Sequence, residues 1–388
     1  MKKLNIALIG HGFMGKAHSY AYLATSFFFK TGIEPVRKVI WGRNETRVKK
    51  AAETFGWEEY ATGDWRNVVT RPDIDVVDIV TPPSTHAEIA VAAAAAGKHV
   101  FCEKPLTVTV EEAEKVLDAV QQAGVKHMVG FNYRRVPAIA LAKRLVESGR
   151  LGQIHHFRAV YLQDWIMDPQ FPRIWKLNRA LAGSGPHHEL NSHLIDLALY
   201  LVGKITRAIG MEETFVRQRP AVATGEKLRT MLTAESDVTR FEPVDVDDAT
   251  AFLARFANGA LGTFEASRFA AGRRNHNRIE INGSKGSILF DLEDMNRLFY
   301  FNREDPADVP GFRSIHVTEG CHPYIEHWWP PGHGLGYQNT FVNQLADFLQ
   351  AIVEDRTPEP GFDVGLENQK VLEAVTRSIA EERWVQID

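Results

Sequence analysis

Three histidines and one glutamate lie within seven residues of the stretch SGPHHELNSH, Ser184 to His193. Side chains of these types bind metal ions and transfer protons. His188 and His193 are five residues apart, which at about 100° per residue leaves them about 140° apart around a regular helix. A zinc-binding helix of the metalloprotease type places its two histidines four residues apart. The spacing therefore argues against a metal site, and we expect no metal.

Glu189 and His193 are four residues apart, and on a regular helix they lie within about 40° of each other. This spacing allows an acid–histidine pair, although it also suits a plain surface contact. Pro186 favours a first turn and Gly203 favours a stop, so a helix is predicted between them. Its apolar stripe consists of Leu190, Leu194, Leu197, Ala198 and Leu201, and the adjacent polar stripe consists of Glu189, His193, Asp196 and Tyr200.

The elements that must position these residues change character along the chain. From LNIALIG at Leu4 to KHMVGFN at Lys126, short β-branched runs alternate with helical stretches, which predicts an α/β fold with a doubly wound parallel sheet. Beyond about residue 150, longer strand-like runs with turn signals at Asn258-Gly259 and in NGSKG predict an antiparallel sheet. Helical tracts at Tyr337 to Val353 and Gly365 to Arg383, and the short strand WVQID, end the chain.

Length and composition indicate a two-domain enzyme. A chain of 388 residues can bury two cores, and its net charge of -4 comes without a basic patch for nucleic acid. The longest apolar run, IAVAAAAAG, is far shorter than the roughly 20 residues that span a bilayer, and the first apolar run is too short for a signal peptide. We therefore expect no membrane partner. Only Cys102 and Cys321 are cysteines, so we also expect no disulfide framework and a cytoplasmic location.

A glycine-rich turn, GHGFMG, joins the first strand to a helix. Glycines allow a tight turn and let the backbone approach a pyrophosphate, which then lies at the positive helix N-terminus. A purely structural turn is the alternative, but the strand–turn–helix context at the start of a βαβ unit favours dinucleotide binding. The predicted cofactor contacts are Gly10, Gly12, Phe13, Met14 and Gly15.

The second strand ends without the acidic residue that commonly binds the ribose hydroxyls of NAD. Gly42-Arg43-Asn44 follows it instead. Arg43 is suited to a 2′-phosphate, to stacking on adenine, or to a solvated surface position, while Asn44 is suited to capping the next helix and to binding a ribose hydroxyl. These residues leave both NAD and NADP open, and we prefer NAD.

Three further motifs carry a family resemblance: CEKPL with Glu103-Lys104-Pro105, TPPSTHAEIA at Thr81, and GFNYRR at Gly130. With them the chain resembles, along nearly its whole length, the glucose-fructose oxidoreductase, inositol dehydrogenase and rhizopine-catabolism (Gfo/Idh/MocA) family. The resemblance implies an NAD(P)-binding Rossmann domain, residues 1–131, and a substrate-binding α+β domain, residues 132–388, whose open, mostly antiparallel sheet often serves oligomerisation. It extends the cofactor contacts to Thr81, Pro82, Pro83, His86, Glu103, Lys104 and Asn132.

Within the family, YLQDW at Tyr161, AGSGPHHELNSHLIDLALYLVG at Ala182 and PPGHGLGYQNTF at Pro330 most resemble dehydrogenases of anhydrosugars and glycosides. In such relatives the catalytic groups are the lysine of Glu-Lys-Pro, a histidine on the first helix of the second domain, and an aspartate one turn before it. The matching residues are Lys104, His193 and Glu189. The glutamate is a departure from the usual aspartate.

These three residues suit the oxidation of an alcohol, which removes a hydride from carbon and a proton from oxygen. His193 can accept the proton near neutral pH, and Glu189 can orient its ring. Lys104 can donate a hydrogen bond to the substrate oxygen and stabilise its developing negative charge. The nicotinamide accepts the hydride.

A sugar would be bound by aromatic and polar side chains together. Trp165, Trp175, Trp328 and Trp329 offer flat apolar faces, while Arg134, His188, His333 and Tyr337 offer polar groups alongside Lys104 and His193. Each also suits ordinary packing. His333 and Trp175 are the strongest candidates because both lie in irregular segments.

The sequence thus predicts an NAD(P)-dependent dehydrogenase that oxidises a secondary hydroxyl of a sugar, anhydrosugar or glycoside to a ketone, as a homo-oligomer. An inositol-type cyclic polyol dehydrogenase and an NAD-dependent glycosidase are alternatives within the family. A cofactor-sensing regulator without catalysis is an alternative of another class, against which Lys104 and His193 argue.

Overall fold

The computed structural model describes residues 2–222 and 236–388. Strands recur through both ranges. In chain order they are β1 (Lys2–Ile9), β2 (Ile33–Trp41), β3 (Glu59–Ala61), β4 (Val76–Ile79), β5 (His99–Cys102), β6 (His127–Val129), β7 (Ile154–Leu162), β8 (Ile205–Glu213), β9 (Gln218–Val222), β10 (Ser236–Pro243), β11 (Ala249–Phe256), β12 (Leu261–Ser267), β13 (His276–Gly283), β14 (Gly286–Asp291), β15 (Arg297–Asn302), β16 (Arg313–His316) and β17 (Val385–Gln386).

The α-helices are distributed over the whole chain. They are α1 (Phe13–Phe28), α2 (Glu45–Phe55), α3 (Arg66–Val69), α4 (His86–Ala95), α5 (Val110–Ala123), α6 (Pro137–Glu147), α7 (Arg179–Ala182), α8 (Ser192–Leu201), α9 (Tyr337–Val353) and α10 (Phe362–Glu381). The predicted tract Tyr337 to Val353 coincides with α9, and the predicted C-terminal strand is β17. Among the described residues, no helix is both long and apolar enough to cross a membrane.

The chain divides into two compact units, residues 1–135 with 336–369 and residues 136–335 with 370–388. The predicted boundary at 131/132 lies close to the first division, but residues 336–369 belong to the first unit rather than to the second. The reason is that α9 is bonded to β6 and the turn after it. Asn132 Nδ2 donates to Thr340 Oγ1 at 2.8 Å, and Gln344 Nε2 donates to the Val129 carbonyl at 2.7 Å.

The first unit is a six-stranded parallel sheet in the order β3-β2-β1-β4-β5-β6, which is the doubly wound Rossmann order. Capping residues in the sequence mark where its helices begin and end. The Asn44 side chain caps α2 by accepting from the Arg47 N–H at 3.0 Å, and Thr109 caps α5 by accepting from the Glu112 N–H at 3.2 Å. Gly124 ends α5 in the left-handed region. The predicted parallel α/β domain is confirmed.

The second unit contains a nine-stranded sheet in the order β16-β15-β14-β13-β7-β12-β11-β8-β17, and a separate pair, β9 with β10. Every neighbouring pair in the large sheet is antiparallel except β7 with β12, so the predicted mostly antiparallel sheet is confirmed. The predicted hairpin at Asn258-Gly259 joins β11 to β12, with Gly259 at φ 90°.

Candidate active site

The predicted cofactor-binding residues of the first unit share the carboxyl edge of the parallel sheet. This edge is where ligands bind in open α/β sheets. The hydrogen-bond ladder continues one residue beyond each strand and so brings the following loops side by side. The N–H groups of Gly10, Val80, Glu103 and Gly130 donate to the carbonyls of Trp41, Ile9, Ile79 and Cys102 at 3.0, 3.0, 2.9 and 2.7 Å.

The three glycines of the loop after β1 have different surroundings. Gly10 has φ 118°, and a Cβ there would lie 2.9 Å from Val80 Cγ2, while a Cβ on Gly15 would lie 2.8 Å from the Gly10 carbonyl oxygen. A Cβ on Gly12 would meet nothing within 4 Å. Gly12 also begins α1 without a side-chain cap from the described residues. The space and the helix N-terminus at Gly12 therefore fit the pyrophosphate of a dinucleotide.

Positive charge surrounds the end of β2. Arg43 is exposed, and Asn44 caps α2 as predicted. The His11 ring packs so closely against Gly42 that a Cβ there would overlap it. Burial, together with the nearby Arg47 and Arg43, lowers the pKa of His11. Arg43 therefore directly follows the Gly42 turn after β2, where a carboxylate is common in NAD-binding sheets.

Lys104 is held by a buried charge network that begins at its neighbour Glu103. Glu103 Oε2 accepts from the Lys104 backbone N–H at 3.1 Å, and Glu103 Oε1 lies 3.0 Å from His18 Nε2. His18 Nδ1 lies 2.8 Å from Asp78 Oδ2. Burial alone would lower the pKa of His18, but Asp78 and Glu103 outweigh it and raise that pKa to about 10.

His86 and the loop after β4 are tied to the Glu-Lys-Pro segment. The buried His86 ring lies between the carbonyl oxygens of Thr81, at 2.8 Å, and Pro105, at 3.0 Å. Pro82 is half-buried and Pro83 is buried. His86 therefore joins two loops of the carboxyl edge, and burial lowers its pKa.

Two residues predicted to contact ligands lie in the interior of the first unit. Asn132 is buried and donates to Thr340, and Arg134 is buried with its guanidinium 3.2 Å from Glu359 Oε1. Their described polar contacts are thus with protein groups of this unit.

Two aromatic residues of the predicted site meet in the first unit. Phe13, which is 59% exposed, stacks on Tyr337 with ring centroids 6.3 Å apart. Tyr337 also contacts the ring of Tyr133. Met14, next to Phe13, is half-buried. These rings form an apolar surface beside the glycine loop.

In the second unit, the stretch that first suggested metal binding folds differently from the prediction. Residues His187–Asn191 form a π-helical turn, and only Ser192–Leu201 are α-helical. A π-turn bonds residue i to residue i+5, so angles computed for a regular α-helix do not apply across it. The predicted regular helix from Pro186 was wrong at its first turn. The apolar stripe is buried as predicted, and Gly203 stops the helix with φ 118°.

Asp247 fixes the start of the π-turn. Its carboxylate accepts from the Gly185 N–H at 2.6 Å, the His187 N–H at 2.9 Å and the hydroxyls of Ser184 and Thr250. Burial would raise the pKa of Asp247, but His187 and these hydrogen bonds lower it overall. An ionised carboxylate therefore caps the turn that carries Glu189 and that leads into α8 with His193.

Glu189 lies between two cations. One carboxylate oxygen accepts from Lys176 and the other from Arg268, whose side chain is 1% exposed. Lys176 lies next to Trp175, with Nζ 5.6 Å from the ring centroid. Glu189 therefore attaches the irregular segment around Trp175 to the π-turn, in addition to its predicted relation to His193.

Trp165 contacts Arg268, the second of these cations. Its ring is 5.4 Å from the guanidinium carbon, and it packs edge-on against Phe171 at 5.3 Å. Trp165 Nε1 donates to Gln163 at 2.8 Å. The two tryptophans predicted to contact sugar, Trp165 and Trp175, thus flank the same pair of cations.

His193 is buried on α8, and its ring centroid lies 6.0 Å from that of Tyr161 on β7. His188 is also buried, and its Nδ1 has no hydrogen-bond partner among the described residues. Burial, with His187 nearby, lowers the pKa of His188 to about 3, so that ring is neutral at physiological pH. His187 Nε2 lies 2.8 Å from the Leu372 carbonyl and serves packing.

The loop that contains His333 is exposed. His333 Nδ1 lies 2.9 Å from the Pro330 carbonyl of the same loop, and Trp329 is 52% exposed, whereas Trp328 is half-buried. The His333 ring thus bonds within its own loop. Its predicted role in substrate binding stays a prediction.

One group among the described residues brings three metal-ligand atoms within 4.8 Å of one another, namely His276, Asp291 and Glu293. His276 Nδ1 lies 3.3 Å from Asp291 and 3.5 Å from Glu293. Arg273 adds a positive charge beside Glu293. Glu293 Oε1 also accepts from the backbone N–H groups of Arg274 and Asn275 at 3.3 and 3.1 Å.

Sequence reasoning missed several residues that surround Glu103 and Glu189. His18 and Asp78 lie in the unremarkable contexts GKAHSY and DVVDIVT, 60 residues apart. Lys176 and Arg268 approach Glu189 from other segments. A buried aspartate inside an apolar strand was the one signal available, because such a carboxylate needs a partner.

Two protein-family models match this chain, one to each of two consecutive regions. Residues 4–131 match the model described as "Oxidoreductase family, NAD-binding Rossmann fold", and residues 139–289 match the "GFO/IDH/MocA C-terminal domain". A levoglucosan dehydrogenase of Pseudarthrobacter phenanthrenivorans is 45% identical, over 100% of this chain and 99% of the relative. A myo-inositol 2-dehydrogenase of Thermotoga maritima is 30% identical, over 99% of each chain.

A solved structure is equally similar. Levoglucosan dehydrogenase in complex with NADH and levoglucosan shares 44% identity and superposes with a TM-score of 0.93, covering 100% of both chains.

Proposed function

Because the chain belongs to the Gfo/Idh/MocA family of oxidoreductases, we propose that it is an NAD-dependent dehydrogenase that oxidises a secondary hydroxyl of an anhydrosugar, sugar or glycoside to a ketone. The observation that carries the proposal is the carboxyl edge of the parallel sheet. There the open space at Gly12 and the loop in which Glu103 holds Lys104 lie at the same edge of the sheet.

On this proposal, Lys104 and His193 act on the same hydroxyl group. His193 accepts the hydroxyl proton, and Lys104 donates to the substrate oxygen as negative charge develops on it. Glu189 keeps Lys176 and Arg268 in place beside the substrate and retains its predicted influence on His193. When bound, the nicotinamide supplies a hydride acceptor.

The proposed cofactor contacts are those of the carboxyl edge. The Gly12 N–H and the start of α1 bind the pyrophosphate, and Asn44 and Arg43 lie toward the ribose and adenine. NAD is preferred because the solved relative of 44% identity holds NADH. Because the nearby arginines are also suited to a 2′-phosphate, activity with NADP is tested as well.

The proposed substrate class rests on the second unit and on the relatives. Trp165 and Trp175 offer apolar faces next to cations and a carboxylate, which is a combination suited to a polyhydroxylated ring. The 45% identical relative is a levoglucosan dehydrogenase, which makes levoglucosan the first substrate to test. The myo-inositol dehydrogenase relative, at 30% identity, supports inositol as the second.

We expect the purified protein to reduce NAD⁺ in preference to NADP⁺ with levoglucosan or a related sugar, measured by absorbance of the reduced cofactor across a panel of anhydrosugars, glycosides, aldoses and inositols. Turnover of inositol alone would favour the polyol dehydrogenase. Release of an aglycone without net NADH formation would favour the glycosidase. Dinucleotide binding without turnover of any panel member would contradict the proposal and favour the regulator.

We also propose a homo-oligomer in the cytoplasm. Met211, Leu253 and Leu261 are exposed on one face of the large sheet, where β8, β11 and β12 are neighbours. Exposed apolar side chains of this size, which lie among Arg255, Thr263 and Glu265, suit association through the sheet. The two thiols are free, Cys102 being buried and Cys321 exposed, as suits a reducing compartment.

A further inference from the structure

His18 has both ring nitrogens directed at carboxylates. Nδ1 lies 2.8 and 3.0 Å from the two oxygens of Asp78, and Nε2 lies 3.0 Å from Glu103 Oε1. A neutral imidazole carries a single N–H, whereas a doubly protonated ring donates from both nitrogens. The geometry is therefore satisfied fully by the doubly protonated ring. His18 and Asp78 are completely buried, so this is an interior ion cluster.

The groups packed around the cluster reinforce this charge state. On α1, Tyr22 faces Asp78, and burial with Asp78 raises the pKa of the Tyr22 hydroxyl. On β5, burial with Glu103 and Asp78 nearby raises the pKa of the Cys102 thiol. On α4, His86 is near Glu103, and burial lowers the pKa of His86. These neighbours stay neutral near pH 7, which leaves His18 as the cation of the cluster.

The cluster ends at the backbone of Lys104. The second oxygen of Glu103 accepts from the Lys104 N–H at 3.1 Å, so one carboxylate joins His18 to the residue proposed to act on substrate. Gly130 leaves room for this carboxylate, because a Cβ there would lie 2.9 Å from Glu103 Oε1. The rings of Phe101 and Phe341 lie 5.4 and 5.6 Å from that of His18 and enclose it.

We propose that His18 is a positioning residue for Lys104: it holds Glu103, and Glu103 fixes the backbone from which the Lys104 side chain extends. The inference rests on the proposed function for its catalytic consequence, but the geometric part stands on the first unit alone. A displacement of about 1 Å at a reacting group costs on the order of 100-fold in rate, so loss of this anchor acts on turnover.

The test compares His18→Gln with His127→Gln in the full-length protein. His127 is the matched control, because it is a buried histidine of the same unit that accepts from the Phe362 N–H at 3.0 Å and lies on β6 opposite Val100. Hydrogen exchange of the peptide spanning residues 102–106 reads out the Lys104 N–H without reference to activity. We expect faster exchange in His18→Gln and unchanged exchange in His127→Gln.

Kinetics supply the second readout. With levoglucosan and NAD⁺, we expect kcat of His18→Gln to fall at least about 10-fold while NADH affinity changes less than about 2-fold. Should His18→Gln fail to fold, Asp78→Asn keeps the shape and removes one charge, and the same two changes are expected in weaker form.

Unchanged exchange at residues 102–106 in a folded variant would overturn the inference, as would an equal loss of kcat in His127→Gln. If wild-type protein oxidises no sugar, the proposed function fails, while the exchange comparison still decides whether His18 holds Lys104.

Discussion

Glu189 is the residue at which the chain departs from the expected aspartate, and its surroundings explain what the longer side chain does. Each carboxylate oxygen accepts from a different cation, Lys176 or Arg268, and these come from separate segments. The sequence indicated Glu189 and His193 because they are close in the chain. It gave no indication of Lys176 or Arg268, since those partners meet Glu189 only through the fold.

Replacing Glu189 by Gln should destabilise the second unit. An amide offers one acceptor and directs a donor at a cation, which leaves Arg268 or Lys176 unpaired. Loss of one partner from a fully buried ion pair costs about 3–5 kcal/mol, and Glu189 is partly exposed, so we expect roughly 2–3 kcal/mol less unfolding free energy. Denaturant unfolding measures this, with Glu326→Gln on the surface as control. A change under about 0.5 kcal/mol would argue that the ion pairs contribute little.

Because of His18, the free energy of unfolding should fall as the pH rises into the alkaline range. Its pKa in the folded state, about 10, is raised above the ordinary 6.5. Its contribution is therefore complete below about pH 6.5 and is lost as the pH rises through about 10. We expect the unfolding free energy of wild type to fall more steeply across this window than that of His18→Gln. Parallel pH profiles for the two proteins would show that His18 is not charged in the folded state.

At the scale of elements, the glycine loop and the π-turn show what a local pattern can and cannot predict. The loop after β1 was predicted because tight turning and close backbone approach are local requirements. The π-turn was not, and Asp247, which caps its start, lies in a distant segment of the sequence. The metal site was excluded by angles that this turn does not obey.

Gly12→Ala and Gly10→Ala should separate cofactor binding from folding. A methyl group at Gly12 meets no protein atom within 4 Å, so this variant should keep wild-type stability and lose at least about 10-fold in NADH affinity, because the methyl group occupies space left for the pyrophosphate. Gly10→Ala should unfold more readily, because Gly10 has φ 118° and its Cβ would crowd Val80. Thermal melts and NADH titration measure both. Unchanged NADH affinity in Gly12→Ala would show that the pyrophosphate does not bind at Gly12.

At the scale of the molecule, the sheet type of each unit can be predicted from the periodicity of its sequence. The unit to which a given helix belongs cannot be predicted in this way. Short alternating elements predict the parallel sheet, and long runs with hairpin turns predict the antiparallel one. The sequence of α9 predicts a helix without stating which sheet it covers. Contacts within the fold, such as the bonds from Asn132 and Gln344, assign it to the first unit. The predicted domain of residues 132–388 therefore differs from the division observed.

Association through the large sheet should depend on its exposed apolar face. Leu253, 49% exposed on β11, is the central residue of that face, with β8 and β12 on either side. We expect Leu253→Glu to lower the mass measured by light scattering to that of a smaller oligomer or monomer, because a carboxylate cannot be buried there unpaired. Leu253→Met is the control. An unchanged mass for the glutamate variant would place the interface on another surface.

The most direct test of the whole account follows NADH and ketone formation from levoglucosan by wild-type protein and by Lys104→Met and His193→Asn variants that still bind NADH. We predict equal amounts of NADH and ketone from wild type, and kcat lowered by about 100-fold or more in each variant, as expected for loss of charge stabilisation or of a general base. Near-normal turnover in either folded, NADH-binding variant would contradict the account.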